Sequence, residues 1–350
     1  MSGLSRRTLL SAGAAAPVAA GVGAGHAYAR SPVEPAPRAE TTPSPAVKPP
    51  ALKAGDRVRV VSPSSRPTES LVARGVEILE SWGLRVELGD HVYDKLSYLA
   101  GTDANRLADL NAALRDPGVK AVFASRGGAG ATRIVEGMDF AAMRVNPKPL
   151  IGFSDITVLQ LALWERCRVT TIHGPGVNWD DSRTGPESAE ALRAALMTTG
   201  PVTLNRDDDQ ITAPVEVPGR ATGVLLGGNL SMLAAAVGSS YFPSLRGAIL
   251  LIEDTGEPPY HVDRFLTQID QNQGLRNLAG VAVGQFTGST GNPGDWTIVE
   301  LLRDKLGDLG IPVLGGLLIG HGNGQLTTPL GSRATLDTQA GTLTIEPGVR

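Results

Sequence analysis

The chain from residue 52 onward alternates short apolar runs with longer amphipathic segments. The short runs are typical of buried strands, and segments with apolar residues every three to four positions are typical of helices that cover a sheet. The predicted elements are strands over residues 57–61, 84–88 and 119–124 and helices over residues 69–82 and 104–115. Strands and helices in this alternation form βαβ units. The pattern therefore predicts an α/β fold whose N-terminal part is a three-layer domain around a parallel sheet.

A second domain is predicted after residue 200, where the pattern changes. Residues 201–215 combine a charge run, prolines and short β-like pieces, which is typical of a linker. Beyond it the predicted elements are a glycine turn into a helix in LLGGNLSMLAAAVGS, strands over 248–253 and 280–284, a helix over 262–270 and a hairpin in ATLDTQAGTLTIEPG. We therefore expect an N-terminal domain over 51–200 and a C-terminal β/α domain over 216–350.

The first 29 residues have the features of an export signal. Arg6 and Arg7 precede an apolar stretch rich in Ala and Gly, and Ala27-Tyr28-Ala29 is a small-residue cleavage pattern. A membrane anchor is the alternative, but a proline and several glycines interrupt the stretch, which falls short of the ~20 apolar residues that a span needs. We expect a twin-arginine signal peptide over 1–29, a Pro-rich linker over 30–50, and a periplasmic or secreted, wall-associated protein without a stable membrane span.

Composition and charge exclude several classes of function. The 350 residues are 41% hydrophobic and 19% charged, which is ordinary for a globular protein. Without the two arginines of the leader, 30 Lys and Arg face 35 Asp and Glu, and about five net negative charges argue against a nucleic-acid partner. Cys167 is the only cysteine and is expected to be a buried filler. Because the histidines and this cysteine do not form a metal-binding motif, no metal or other cofactor is expected.

Ser154 is the candidate nucleophile. In the sequence KPLIGFSDITVLQLAL an apolar run ends at Ile151 and a helix-like segment begins just after the serine. A serine at such a strand-to-helix corner exposes its hydroxyl, and the N–H groups of the next helix point toward an oxyanion formed beside it. The motif departs from G-x-S-x-G, because Ile156 occupies the second glycine position. The alternative is a serine or aspartate that only caps the helix.

An acid and a base for this serine are predicted from later segments. Glu253 closes the apolar strand GAILLIE, where catalytic side chains of open sheets collect. His321 follows the apolar segment VLGGLLIG and has glycines on both sides, which favours an accessible ring. The order serine, acid, histidine is also that of α/β-hydrolases. His173, at the end of a strand in the serine's own domain, is the competing base.

The segment Ser125-Arg126-Gly127-Gly128-Ala129-Gly130 follows a predicted strand and opens a predicted helix. It lacks the Lys-Ser/Thr of a phosphate-binding loop and does not match the dinucleotide fingerprint, so nucleotide binding is not expected. Paired glycines let a backbone approach a reacting carbonyl closely. We therefore expect the backbone N–H groups of Gly128 and Asp155 to form an oxyanion hole.

Several motifs together resemble the LD-carboxypeptidase family, serine peptidases that trim murein tetrapeptides, with relatives that inactivate microcin-type antibiotics. The resemblance covers the chain from about residue 52 to the C terminus. Its motifs are GDRVRVVSPSS, YLAGTDANRLADLNAALRDPGVKAVFASRGGAG, IGFSDITVL, TIHGP, LLGGNLSMLAA, IEDTGEPPYHVDRFL and GHGNGQLTTPLG.

The resemblance implies a two-domain architecture in which a swivelling C-terminal β/α domain carries the acid and the base. It implies Ser154 as nucleophile, Glu253 as acid, His321 as base, the backbone of Gly128 and Asp155 as oxyanion donors, a homodimer and no metal. The chain departs from the family pattern at three positions where an aromatic residue, Asn and Leu are common. These positions are Ala129, Gln325 and Thr328.

The resulting hypothesis is hydrolysis of the bond between the L-centre of a diamino acid and a terminal D-alanine in murein tetrapeptides. One alternative keeps the three side chains but takes acylated aminoacyl-nucleotide antibiotics, with Trp179 stacking on the base. Another is a non-catalytic module that binds wall peptides. Arg126 and Arg264 are the candidates for binding the terminal carboxylate of the substrate.

Overall fold

A computed structural model describes residues 45–350, in which the helices and two β-sheets belong to one compact unit. The predicted signal peptide over 1–29 and most of the predicted Pro-rich linker over 30–50 lie outside the described residues. None of the helices within residues 45–350 is long and apolar enough to cross a membrane.

The first sheet has six strands in the order β12-β5-β4-β3-β1-β2. Its strands are β1 (Arg57–Val61), β2 (Arg85–Leu88), β3 (Val119–Ala124), β4 (Leu150–Gly152), β5 (Thr171–His173) and β12 (Thr328–Leu330). The first five are parallel, and β12 runs antiparallel to β5. The helices are α1 (Glu69–Ser81), α2 (Asp103–Arg115), α3 (Phe140–Val145), α4 (Thr157–Cys167) and α5 (Pro186–Met197).

Two apolar clusters cover the two faces of this sheet. Val58 and Val60 of β1 pack in a cluster that contains residues of α1 and α5, whereas Val61 packs in a cluster with residues of α2, α3 and α4. Successive side chains of a strand point to opposite faces, so each strand feeds both clusters. This arrangement confirms the predicted three-layer α/β architecture with a parallel sheet.

The second sheet has eight strands in the order β6-β14-β13-β8-β9-β10-β11-β7. Its strands are β6 (Val202–Asn205), β7 (Glu216–Val217), β8 (Arg220–Asn229), β9 (Ile249–Thr255), β10 (Gly280–Thr287), β11 (Val313–Leu314), β13 (Arg333–Asp337) and β14 (Thr342–Ile345). Strands β8 to β11 are parallel and the outer strands are antiparallel. The helices are α6 (Leu230–Ala236), α7 (Pro259–Gln273) and α8 (Ile298–Leu306). The hairpin predicted at the C terminus is β13 and β14.

The glycine turn predicted before α6 is wrong, because Gly227 and Gly228 belong to strand β8. Both have positive φ angles, +133° and +135°. A Cβ atom on Gly227 would lie 2.0 Å from the carbonyl oxygen of Leu251, and one on Gly228 would lie 2.7 Å from Oγ1 of Thr157. The glycines therefore allow β8 to approach β9 and the start of α4 closely, instead of turning the chain.

Two strands lie outside the sequence-based division of the chain. β6 falls within the segment expected to be a linker, 201–215, and pairs with β14 in the second sheet. β12 comes from the segment expected to be the C-terminal domain, 216–350, yet it pairs with β5 of the first sheet. The predicted domain bounds stay predictions. The pairing of β12 brings the chain that follows His321 back to the sheet that carries Ser154.

Candidate active site

Ser154 lies at the corner between β4 and α4. It has a φ angle of +63° and begins a single 3-10 turn, Ser154–Ile156. A non-glycine residue with positive φ is strained, and such strain is often found at functional sites. The neighbouring backbone is close, since a Cβ atom on Gly127 would lie 2.7 Å from Cβ of Ser154. The N-cap position of α4 is Ile156 and makes no side-chain cap bond, so helix capping does not explain the serine.

His321 and Glu253 form a hydrogen-bonded pair. Nδ1 of His321 lies 2.7 Å from Oε2 of Glu253. Glu253 belongs to strand β9, and its side chain is completely buried. The His321 side chain is 12% exposed, and its ring centroid lies 4.8 Å from that of Phe153. The expectation of an accessible ring is therefore only partly right. The flanking glycines bring the ring against the carboxylate, because a Cβ atom on Gly320 would lie 2.6 Å from Oε2 of Glu253.

The charge state of Glu253 follows from its surroundings. Burial by itself raises the pKa of the carboxyl group, because the charged form loses hydration. The charge and hydrogen bond of His321, together with nearby His173, outweigh burial and hold the pKa at about 2. Glu253 is thus a carboxylate over the physiological pH range and can orient an imidazole and stabilise its protonated form.

His173, the competing base, lies on the other side of the same carboxylate. Its Nε2 is 3.7 Å from Oε1 of Glu253, and its side chain is completely buried. Within residues 45–350, neither ring nitrogen has a hydrogen-bond partner. His173 does not line the cavity that contains Ser154, whereas His321 does.

Ser154, His321 and Gly128 line one open cavity of about 140 Å³. Arg126, Arg183 and Phe153 are also part of its wall. Among the described residues the hydroxyl of Ser154 makes no hydrogen bond to the ring of His321. Such bonds are often long in empty sites and tighten when a substrate is bound. The structure therefore brings a strained serine and a carboxylate-bound imidazole to the same small space.

The loop expected to carry the oxyanion donors is tied to the serine corner by the side chain of Asp155. Oδ2 of Asp155 accepts hydrogen bonds from Oγ of Ser64, at 2.6 Å, and from the backbone N–H of Ala131, at 2.8 Å. Burial raises the pKa of this carboxyl group. Gly128 has a φ angle of +116°, and a Cβ atom there would lie 2.3 Å from Oγ of Ser65. The loop is thus held in a conformation that only glycine fits at this position.

The structure differs from the expectations drawn from the sequence at Arg264, Trp179 and Arg183. Arg126 lines the cavity, but Arg264 does not, and its guanidinium carbon lies 5.9 Å from the ring centroid of Tyr260. Trp179 is 3% exposed and packs in the apolar cluster with α1 and α5, so the expectation that it stacks on a nucleobase is wrong. Arg183 lines the cavity and was missed, because a lone arginine in a turn-rich segment carries no sequence signal.

The described residues contain no group of three or more His, Cys, Asp or Glu side chains that could hold a metal ion. Cys167 is buried at the end of α4 and packs in the apolar cluster that contains residues of α2, α3 and α4, as expected of a filler. Burial raises the pKa of its thiol, which disfavours the reactive thiolate.

Comparison with known proteins identifies the class of the protein. The sequence matches the N-terminal domain of LD-carboxypeptidases over residues 58–174 and their C-terminal domain over residues 222–336. The Bacillus subtilis protein named "Probable murein peptide carboxypeptidase" is 36% identical over 308 residues, which cover 86% of this chain and 95% of that protein. The murein tetrapeptide carboxypeptidase of Pseudomonas aeruginosa is 32% identical over 292 residues, which cover 80% and 93%.

The fold is also found in a solved structure. The microcin C7 self-immunity protein, known from Escherichia coli, superimposes in its ligand-free state with a TM-score of 0.78 at 24% identity, over 86% of this chain and 98% of that one. The fold and the sequence matches together show that the protein is a peptidase of the carboxypeptidase type. The chain belongs to the LD-carboxypeptidase family, which confirms the resemblance seen in its motifs.

Proposed function

We propose that the protein is a serine LD-carboxypeptidase that releases the terminal D-alanine of murein tetrapeptides. The bond that it hydrolyses joins the L-centre of the diamino acid to D-alanine. The observation that carries this proposal is the shared cavity of Ser154 and His321, with His321 hydrogen-bonded to buried Glu253. Two relatives that are more than 30% identical carry names that specify murein peptides.

The proposed reaction proceeds through an acyl-enzyme. Oγ of Ser154 attacks the scissile carbonyl carbon while Nε2 of His321 takes the hydroxyl proton. Glu253 accepts the Nδ1–H hydrogen bond and stabilises the imidazolium. The backbone N–H groups of Gly128 and Asp155 bind the oxyanion. The C–N bond then breaks as His321 protonates the leaving amine of D-alanine. Water next attacks the acyl carbon while His321 takes its proton, and the ester C–O bond breaks as His321 returns this proton to Oγ of Ser154.

Mass spectrometry of purified tetrapeptides tests this reaction. Incubation with the protein should remove one alanine residue from a tetrapeptide that ends in D-alanine. A tetrapeptide that ends in L-alanine is the matched control and should stay intact. Loss of alanine from both peptides, or from neither, would contradict the stereochemical assignment.

A second candidate is hydrolysis of acylated aminoacyl-nucleotide antibiotics by the same side chains. The likeness in fold to the microcin C7 self-immunity protein favours it, whereas burial of Trp179 removes the expected stacking surface. Supplying both substrate classes to one preparation separates the candidates by the ratio of their kcat/KM values. A fluorophosphonate that labels serine nucleophiles separates both from a non-catalytic binding module, which would bind wall peptide without being labelled.

We also infer that the protein is exported through the twin-arginine route and acts as a homodimer. The support is the paired Arg6 and Arg7 with the Ala27-Tyr28-Ala29 pattern, and the family resemblance for the dimer. Cell fractionation should find the mature protein outside the cytoplasm, and a variant with both arginines changed to lysine should remain inside. Light scattering of the purified mature chain should give twice the mass of the monomer.

A further inference from the structure

Arg183 lies in the wall of the cavity beside the serine corner. Its guanidinium carbon is 5.6 Å from the ring centroid of Phe153, the residue directly before Ser154. The ring of Phe153 also packs against the ring of His321. The backbone carbonyl of Arg183 accepts a hydrogen bond from the N–H of Gly324, at 3.0 Å. Arg183 is therefore fixed relative to both the serine corner and the loop that carries the histidine.

The charge of Arg183 has no matching carboxylate. No Asp or Glu oxygen within residues 45–350 lies within 4.0 Å of its guanidinium nitrogens, since it takes part in none of the ion pairs there. Asp180, whose charge raises the pKa of the Arg183 guanidinium, accepts hydrogen bonds from the N–H and hydroxyl of Ser182 instead. The side chain is only partly exposed. Removing a cation from water without a partner is costly, so an anionic ligand is the natural complement.

Arg126 adds a second positive charge to the same cavity wall. It too forms no ion pair with a described residue, and its charge acts on Arg183 to lower the pKa of the guanidinium further, after burial. By contrast, Arg57 and Arg59 of strand β1 each pair with both Glu87 and Asp116. Two unmatched guanidinium groups in one small cavity point to a ligand with a negative group that accepts several hydrogen bonds.

The substrate of a carboxypeptidase has such a group close to the bond that is cut. The free carboxylate of the last residue lies within about 4 Å of the scissile carbonyl carbon, because only the amide nitrogen and one Cα atom separate them. A cation in the same cavity as the nucleophile can therefore bind it while the carbonyl lies beside Ser154. Internal peptide bonds lack this carboxylate, so such a cation would also set the preference for the chain end.

We propose that Arg183 binds the C-terminal carboxylate of the substrate, with Arg126 as the outer partner, and that this pair determines the restriction to terminal residues. The proposal deepens the proposed carboxypeptidase function and rests on it. Arg264, the other arginine considered from the sequence, lies on Tyr260 away from the cavity wall and takes no part.

The test compares a tetrapeptide acid with the same tetrapeptide carrying a C-terminal amide. The wild-type protein should prefer the acid in kcat/KM by at least ~100-fold, because the amide leaves the guanidinium unmatched. Arg183→Gln should lower kcat/KM for the acid by ~100-fold or more and change the value for the amide by only a few-fold, so that the preference collapses. Arg183→Lys should restore part of the preference, and Arg126→Gln should reduce it less than Arg183→Gln.

Arg264→Gln is the matched control, because it removes a guanidinium that stacks on an aromatic ring outside the cavity; it should keep the wild-type preference. If the wild-type protein releases D-alanine but Arg183→Gln keeps its preference for the acid, or loses both activities equally, the role of Arg183 is wrong. If the wild-type protein does not cut any tetrapeptide, the proposed function itself is wrong, and the role of Arg183 falls with it.

Discussion

Oε1 of Glu253 lies 3.7 Å from Nε2 of His173, on the side of the carboxylate away from its 2.7 Å hydrogen bond to His321. One buried carboxylate therefore lies between two imidazoles. Only His321 reaches the cavity that holds Ser154. We therefore predict different roles for the two histidines, with His321 as the base and His173 as a buried neighbour of the acid.

Substitution of each histidine separates these roles. His321→Ala should lower kcat by about a thousandfold or more, because the serine loses its proton acceptor. His173→Gln should keep kcat within about tenfold of wild type and act mainly on stability, because the side chain is completely buried. Steady-state kinetics and thermal unfolding of both variants measure these effects. Near-normal turnover by His321→Ala combined with an inactive, folded His173→Gln would reverse the assignment.

Replacement of Glu253 by glutamine tests the charge of the acid. Glu253→Gln keeps an oxygen near Nδ1 of His321 but removes the negative charge that stabilises the imidazolium. In related arrangements the loss of this charge costs up to about 10⁴-fold in kcat. We expect a decrease of about 10² to 10⁴-fold in kcat, with a smaller change in KM. Unchanged kcat in the folded variant would remove Glu253 from the mechanism.

The pKa of Glu253 also predicts a pH dependence of stability. Its pKa falls from an ordinary 4.5 to about 2 on folding, so the ionised group favours the folded state. This contribution is complete above pH 4.5 and is lost as the pH falls toward 2. The free energy of unfolding of wild type relative to Glu253→Gln should therefore decrease over this range, on the order of a few kcal/mol. Denaturant titrations at several pH values measure it, and a difference that grows on acidification would contradict the shift.

Gly128→Ala tests the oxyanion loop. The new Cβ atom would lie 2.3 Å from Oγ of Ser65 at a φ angle of +116°, so the loop must move and the N–H of residue 128 turns away. We expect kcat to fall by about a hundredfold or more with little change in KM. Gly238→Ala is the control, because it also places a side chain at positive φ, +85°, but in open space. A similar kcat for both variants would remove the loop from the mechanism.

Much of the first sheet was predictable, because its strands are short apolar runs bounded by helices with regular periodicity. β1 and β3 have the predicted bounds, and α2 begins one residue earlier than expected. The sequence pattern predicts a turn at the glycine pair of β8, which is wrong, because glycine occurs both in turns and where strands pack closely. Only the tertiary structure tells these uses apart. The pairing of β12 with β5 of the first sheet also cannot be predicted from the local sequence pattern.

The residues of the candidate site, like the strands of the fold, were predictable from the sequence only in part. The sequence predicts Ser154, Glu253 and His321 because each lies at or just after the end of an apolar run, and the structure places Ser154 and His321 in one cavity with Glu253 bound to the histidine. No sequence pattern indicates Arg183, because its distinguishing feature is the lack of an acidic partner beside Phe153. That property depends on contacts between distant segments. The catalytic roles of Ser154, Glu253 and His321 stay predictions.

The rate of D-alanine release by wild type and by Ser154→Ala tests the central claim most directly. Both proteins are incubated with the same murein tetrapeptide, and circular dichroism confirms that the variant is folded. Wild type should release D-alanine, and the variant should be slower by at least about a thousandfold, because it lacks the hydroxyl that attacks the scissile carbonyl. Release by folded Ser154→Ala at the wild-type rate would contradict the account.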